Sequence, residues 1–300
     1  MRRTLRYGAD SAGPAVGFIA PAGLVLVLMN VGPLLWSLGI SFFHYRADRP
    51  HTPPHFVGVH HYFEIATDGD VWERLRHTAL FISGSVLMQI VVGSVLALLF
   101  YRPFLGRRVV LMLVLAPMLL SMVFVGTFFN FLYDPTFGLV SAAVRLVTGA
   151  PFAPLGTPAS SMTSLIAADV WMWAPFVMLM LLAGIEGVPS ALVEAAEIDR
   201  LRGWRRFRSV LWPSVRGALL LALLFRAIES FNQFDLVFTI TNGGPGTSTE
   251  MLSTQTYGDA FVLFETSRAA ALANFGTAVV IVLASLYFTM LRRRGPPERG

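Results

Sequence analysis

The sequence has no cysteine and no lysine, so all 23 of its basic residues are arginine. Without cysteine the chain can form neither disulfides nor thiolate metal sites, and it has no cysteine nucleophile. Without lysine it cannot complete the glycine-rich phosphate-binding loop that ATP-hydrolysing enzymes use. The motifs HExxH and Gly-x-Ser-x-Gly are also missing. These absences argue that the chain is not an enzyme.

Charge is scarce as well: 14% of the 300 residues are charged, whereas 55% are hydrophobic. The apolar residues form runs long enough to cross a bilayer, which takes about 20 residues per helix. The runs lack the strict alternation of barrel strands, so helices are expected. The formal net charge of +5 does not indicate nucleic-acid binding, because most of the arginines flank apolar runs, as membrane topology predicts. The composition predicts an all-α polytopic membrane protein.

Six apolar runs predict six transmembrane helices, flanked by tails at residues 1–14 and 292–300. The first run is too long for the core of a signal peptide, so it is expected to remain as a helix. With both termini in the cytoplasm, most arginines outside the spans fall in cytoplasmic segments, as the positive-inside rule requires. The predicted spans cover about residues 15–43, 75–101, 108–133, 161–185, 214–234 and 269–291.

Residues 186–213 form a polar, arginine-rich segment between two apolar runs. Pro189 and Ser190 provide a helix start, and Glu194 and Glu197 lie in the early turns, where carboxylates are favoured. Basic residues follow, which also suits the helix dipole. Taken alone, the segment is either an ordinary positively charged inner loop or a helix that docks onto a soluble partner.

The spacing within this segment resembles the EAA loop of permease subunits from binding-protein-dependent ABC importers. That pattern reads Glu-Ala-Ala, three residues, Gly, nine residues, Ile, one residue, Leu-Pro. Two positions depart from it: Arg200 stands where the family has glycine, with Gly203 three residues later, and Trp212 replaces the leucine. The residues in register are Glu194, Ala195, Ala196, Asp199, Val210 and Pro213.

A second resemblance lies after the fifth predicted span, in FNQFD at residues 231–235 and TNGGP at residues 241–245. Maltose-type and glycerol-3-phosphate-type permeases carry a similar pair of motifs. An isolated GGP would indicate no more than a turn. Its place about 30 residues after an EAA-like segment makes the resemblance specific, and weaker agreement extends it over about residues 15–290.

The resemblance implies a type I ABC importer permease fold and a non-catalytic subunit of the bacterial inner membrane. It implies a heterodimer with a second homologous permease, two ATP-binding subunits that use ATP and magnesium, and an extracytoplasmic substrate-binding protein. The substrate would be a sugar, a polyol or a glycerol phosphate, and this chain itself would bind no cofactor. The residues it assigns to coupling with the ATP-binding subunit are Glu194, Ala195, Ala196, Asp199, Arg200, Gly203 and Pro213.

Polar side chains inside the predicted spans are candidates for the substrate pathway, because such groups are costly in lipid and face a cavity or a partner. Asp169 and Trp173 share a helix face by their spacing of four. The alternatives are contacts between helices, or an Arg226–Glu229 pair one turn apart. For Asn232 and Gln233 the resemblance favours the central cavity. The candidates are Asn130, Asp169, Trp173, Glu229, Ser230, Asn232 and Gln233.

Two other interpretations remain open from the residues alone. A self-contained secondary transporter or channel would need its own relay, for which Asp169, Arg226 and Glu229 are available. A metal site would have to use the loop histidines of residues 44–61. No carboxylate stands at a recurrent ligand interval from them, so no metal is expected.

Overall fold

The computed structural model describes residues 12–49, 51–201 and 203–293. It is mostly helical, with one short antiparallel strand pair, Phe43–His44 with His55–Phe56. The helices are α1 Ala12–Ile40, α2 His60–Thr67, α3 Gly69–Tyr101, α4 Arg107–Leu115, α5 Met122–Leu132, α6 Leu139–Thr148, α7 Pro158–Glu186, α8 Ser190–Ile198, α9 Gly203–Arg206, α10 Trp212–Phe231, α11 Asp235–Ile240, α12 Leu252–Tyr257 and α13 Thr266–Arg293.

Within the described residues, five helical segments are long and apolar enough to cross a membrane. They are Ala20–Ile40, Gly69–Tyr101, Pro158–Glu186, Phe207–Phe231 and Thr266–Thr289. Local chemistry sets where two of these begin. The Asp68 side chain accepts from the Asp70 backbone N–H at 2.9 Å, and Thr157 and Ser160 form a capping box before α7.

The sixth predicted span, at residues 108–133, is bent: Arg107–Leu119 and Met122–Leu132 meet at an angle of 100°. The break has a local cause. Ala116–Leu119 is a 3₁₀ turn with Pro117 in its first positions, and Leu120 and Ser121 are extended. Counting the bent pair as one span gives six. The predicted span 108–133 therefore consists of two helices that meet at a break beside Pro117.

The described residues divide into two compact units. The smaller takes in the part up to Thr67 together with Thr256–Phe275, and the larger takes in Asp68–Gln255 and the part from Gly276 onward. In the smaller unit the guanidinium of Arg46 contacts Asp48 at 3.0 Å and Glu265 at 3.2 Å. The hydrogen bond that Arg46 donates to Asp48 lowers the pKa of the Asp48 carboxyl.

The core of the larger unit depends on close approaches between helices. A Cβ at Gly93 would lie 2.7 Å from Val177 Cβ, so only glycine allows α3 to lie this close to α7. A Cβ at Gly126 would overlap Thr239 Oγ1, where α5 meets α11. The largest buried side chains of this core include Phe81, Leu165, Met178, Leu236 and Arg226. The last of these is the exception, because it is charged.

Candidate functional site

Arg226 of α10 is 1% exposed and holds three helices together. Its Nε donates to Gln89 Oε1 of α3 at 2.9 Å. One terminal nitrogen donates to the Asp169 carboxylate of α7 at 3.2 and 3.4 Å. Gln89 Nε2 in turn donates to Asp169 Oδ2 at 2.7 Å. Asp169 is as buried as the arginine, and the pair therefore compensates two charges that neither could carry alone at this depth.

The same guanidinium also contacts its own helix and an aromatic ring. It donates to Glu229 Oε2 at 2.6 Å and to Ser230 Oγ at 3.2 Å. Its carbon lies 4.5 Å from the centre of the Trp173 ring, a cation–π distance. Glu229 differs from the rest because half of its side chain is exposed. One cation thus serves two carboxylates, and the second of these, Glu229, reaches the surface of the unit.

We call Gln89, Asp169, Trp173, Arg226, Glu229 and Ser230 the arginine cluster. Four of its members were predicted as pathway residues, and the alternative Arg226–Glu229 pair is present in it as well. Gln89 was missed by the sequence analysis. Its only signal was an amide in the middle of an apolar span, where polar side chains need partners.

The other three predicted pathway residues lie outside this cluster. Asn130 is exposed and its Nδ2 donates to the Ile240 carbonyl oxygen at 2.9 Å. Asn232 follows the end of α10, and its Nδ2 donates to the Ile228 carbonyl oxygen at 3.2 Å. Gln233 is 4% exposed. Its backbone carbonyl accepts from the Ser253 hydroxyl at 2.5 Å.

The predicted coupling residues fall on α8 and the helical segment after it. Glu194, Ala195 and Asp199 are exposed, whereas Ala196 is 2% exposed and faces inward.

Glu197 contacts Arg206 at 3.6 Å, which links α8 to α9. Gly203 starts α9 and Pro213 lies in the first turn of α10. A π-helical turn, Phe207–Leu211, connects them, so helical backbone continues from Gly203 to Phe231.

Arg200 ends α8 in the left-handed conformation, with φ of +52°. The Arg200 N–H donates to the Glu197 carbonyl oxygen at 3.0 Å, and the Leu201 N–H donates to that of Ala196 at 2.8 Å. These two bonds make the Schellman motif, whose left-handed position is usually glycine. The backbone at residue 200 therefore has the geometry that glycine adopts most easily, with arginine in its place.

The comparisons with known proteins agree with these features. Residues 89–294 match the family described as binding-protein-dependent transport system inner membrane component. The chain belongs to this family. This permease is 30% identical over 235 residues to the trehalose/maltose transport system permease protein MalF of Thermococcus litoralis, covering 78% of this chain and 79% of the relative. It is 28% identical over 293 residues to the trehalose transport system permease protein SugA of Mycobacterium tuberculosis, covering 97% and 93%.

Among solved structures, the permease resembles a chain of a bacterial alginate ABC transporter in complex with an alginate pentasaccharide-bound periplasmic protein. The TM-score is 0.79 at 19% identity, covering 93% of this chain and 94% of that one. These findings confirm the predicted helical fold of type I importer permeases and a multi-pass inner-membrane subunit of an ABC importer. They decide against a self-contained secondary transporter. The cytoplasmic placement of both termini stays a prediction.

Proposed function

We propose that this permease forms half of a translocation pathway for a sugar or a related polyol or glycerol phosphate. A second homologous permease supplies the other half, and each half binds one of two ATP-binding subunits. Support comes from the names of the relatives, which transport trehalose and maltose. An extracytoplasmic binding protein delivers the substrate, by analogy with the alginate transporter complex.

In this proposal ATP and magnesium are used by the ATP-binding subunits, and this chain is non-catalytic and binds no cofactor. Both termini and α8 face the cytoplasm, as the distribution of arginines favours. The coupling residues are those of the EAA-like segment: Glu194, Ala195, Ala196, Asp199, Arg200, Gly203 and Pro213. The tails at 1–14 and 292–300 lie largely outside the described residues.

The observation that carries the coupling proposal is the exposed face of α8. Leu192 and Ile198 are 51% and 82% exposed, and Ala195 lies between them at helical spacing. Apolar side chains on the exposed side of a short helix favour burial against a protein partner. Glu194 stands beside this stripe and can pair with a basic residue of the partner. A short helix held in a groove of the partner transmits rigid-body motion.

The helical backbone from Gly203 to Phe231 gives this motion a route into the membrane. It starts next to α8 and ends just past Arg226, whose hydrogen bonds tie α10 to α3 and α7. Motion of α8 is therefore passed to all three helices together. We propose that the arginine cluster keeps them a single body while the pathway changes from inward-open to outward-open.

For the substrate pathway, exposure separates direct contacts from supporting residues. Glu229, Asn130 and Asn232 are exposed and offer carboxylate and amide groups to sugar hydroxyls. Asp169 and Ser230 are buried and hold Arg226. Arg226 also lies over one face of the Trp173 ring. Gln233 is included in the proposed pathway because it follows Asn232 where α10 ends.

The coupling proposal is tested with Glu194→Arg and a matched control, Glu73→Arg. Both residues are exposed glutamates on helices, and the predicted topology puts only Glu194 in the cytoplasm. Glu194→Arg should reach the membrane normally but lose substrate-stimulated ATPase activity in the assembled importer, whereas the control should keep it. Preserved stimulation in Glu194→Arg would refute docking through α8.

The pathway proposal is tested with Asn232→Ala, Gln233→Ala and Glu229→Gln. Each should raise the half-saturating substrate concentration while the subunits still assemble. Asn30→Ala is the matched control, since Asn30 Nδ2 makes the same type of bond to the carbonyl four residues earlier, at 2.8 Å. Unchanged transport curves for all three variants would remove these residues from the pathway.

A further inference from the structure

A groove of about 680 Å³ lies between the end of α3 and the segment that leads from α8 into α10. Its α3 side is formed by the last two turns of the helix, up to Tyr101 and Arg102. Its other side includes Leu201, Gly203 and Leu211. The groove is also lined by Val95, Leu98, Leu99, Arg102, Arg206 and Phe207.

One side of the groove is apolar, and its edge is basic. Val95, Leu98 and Leu99 are 53%, 54% and 62% exposed, and they belong to a helix long and apolar enough to span the bilayer. Arg102 and Arg206 lie at the end of that wall, and none of the described residues that line the groove is acidic. The distance from Arg206 to Glu197 is 3.6 Å, which is longer than a normal hydrogen bond. The Arg206 guanidinium can therefore bind an anion that comes closer.

We propose that this groove binds an anionic phospholipid. Its acyl chain would lie along Val95, Leu98 and Leu99, and its phosphate would sit between the guanidinium groups of Arg102 and Arg206. Guanidinium groups bind phosphate oxygens by charge-assisted, often bidentate hydrogen bonds. Basic pockets between helices at the cytoplasmic membrane surface are suited to acidic headgroups. The predicted topology puts both arginines on that side.

The position of the groove gives this lipid a role beyond filling space. Leu201 closes the Schellman motif at the end of α8, and Gly203 begins α9. A lipid bound here would hold the coupling segment against the end of α3. Lipid binding itself does not depend on the identity of the transported substrate or on docking through α8, so its test is separate from those above.

The test uses the full-length permease, purified with its native partners in mild detergent and stripped of lipid. Native mass spectrometry then follows binding of phosphatidylglycerol or of phosphatidylcholine with identical acyl chains. The permease should bind phosphatidylglycerol at a concentration about tenfold lower than it needs for phosphatidylcholine. Arg102→Gln and Arg206→Gln should each weaken that binding about tenfold, because each removes a charge-assisted hydrogen bond. Arg205→Gln, an exposed arginine of the same segment that does not line the groove, should leave it unchanged.

Three results would overturn the proposal. Equal binding of the two lipids would leave the arginines without a role. Phosphatidylglycerol binding that persists in the Arg102→Gln, Arg206→Gln double variant would place the lipid elsewhere. Loss of a partner subunit from either single variant, with the control intact, would show that the groove is a protein interface. A variant that fails to fold is recognised by its elution profile, and the other single variant then carries the test.

Discussion

Replacing Arg226 by methionine should expose how the buried charges depend on one another. The side chain donates to Gln89, Asp169, Glu229 and Ser230. Methionine keeps much of the volume but leaves the Asp169 carboxylate with Gln89 Nε2 as its remaining partner in the arginine cluster. Leaving one member of a buried ion pair without its partner costs about 3–5 kcal/mol. The Arg226→Met variant should lose that much unfolding free energy.

The second arm of the cycle removes the other charge. Asp169→Asn keeps the side-chain shape, and Arg226 can still pair with Glu229 at 2.6 Å, so the cost should be smaller, about 1–3 kcal/mol. The double variant contains neither buried charge, while Glu229 remains half exposed and hydrated. Its loss should therefore fall short of the sum of the single losses by at least about 1.5 kcal/mol.

The assay is reversible unfolding in mixed micelles at increasing SDS fraction, with tryptophan fluorescence as the readout. Arg216→Met is the control: it removes an exposed arginine from the same helix and should change the free energy by no more than about 0.5 kcal/mol. Additive losses within about 0.5 kcal/mol would refute the argument, because independent sites add and coupled buried charges do not.

Three further predictions concern glycine geometry and pH. Arg200→Gly should raise the stability of the permease by up to about 1 kcal/mol, since glycine adopts the left-handed conformation without strain; a lower thermal midpoint would contradict this. Gly126→Ala should destabilise by about 1–3 kcal/mol through overpacking against α11, whereas Gly217→Ala, with open space around it, should not, as thermal unfolding would reveal. Because Arg46 lowers the pKa of Asp48, their ion pair should be complete above the ordinary carboxyl pKa near 4 and be lost as pH falls through the lowered value. Hydrogen exchange of the backbone amides around Asp48 should increase in that pH range. The Asp48→Asn variant, which has no such pair to lose, should show no such increase.

Much of the helical framework follows from the sequence, because run length and apolar composition determine which segments can span a bilayer. The predicted span 161–185 corresponds to α7, Pro158–Glu186, and a helix start at Ser190 matches α8. An apolar run predicts that a segment spans the bilayer, but it does not predict whether the helix is straight. The 100° bend at residues 120–121 lies within an otherwise continuous apolar run, and Pro117 was its one sign in the sequence.

The arginine cluster was only partly predictable for a different reason. Spacing along one helix placed Asp169 near Trp173 and Arg226 near Glu229. Which helix faces which is a tertiary property, so the contacts of Gln89 with residues 80 and 137 positions away had no sequence signal beyond burial cost. The left-handed backbone at Arg200 is similar: the pattern marked a glycine position, but the arginine gave no local hint that it keeps glycine's conformation.

The proposed function is tested most directly by purifying the permease from its native membrane in mild detergent, identifying the subunits and assaying the eluate for ATPase activity. We expect a second six-span permease and an ATP-binding subunit in the same complex. We also expect ATPase activity that a substrate-loaded binding protein stimulates and that Glu194→Arg uncouples. A chain that is recovered alone or only with copies of itself, without ATPase activity, would contradict the proposed function.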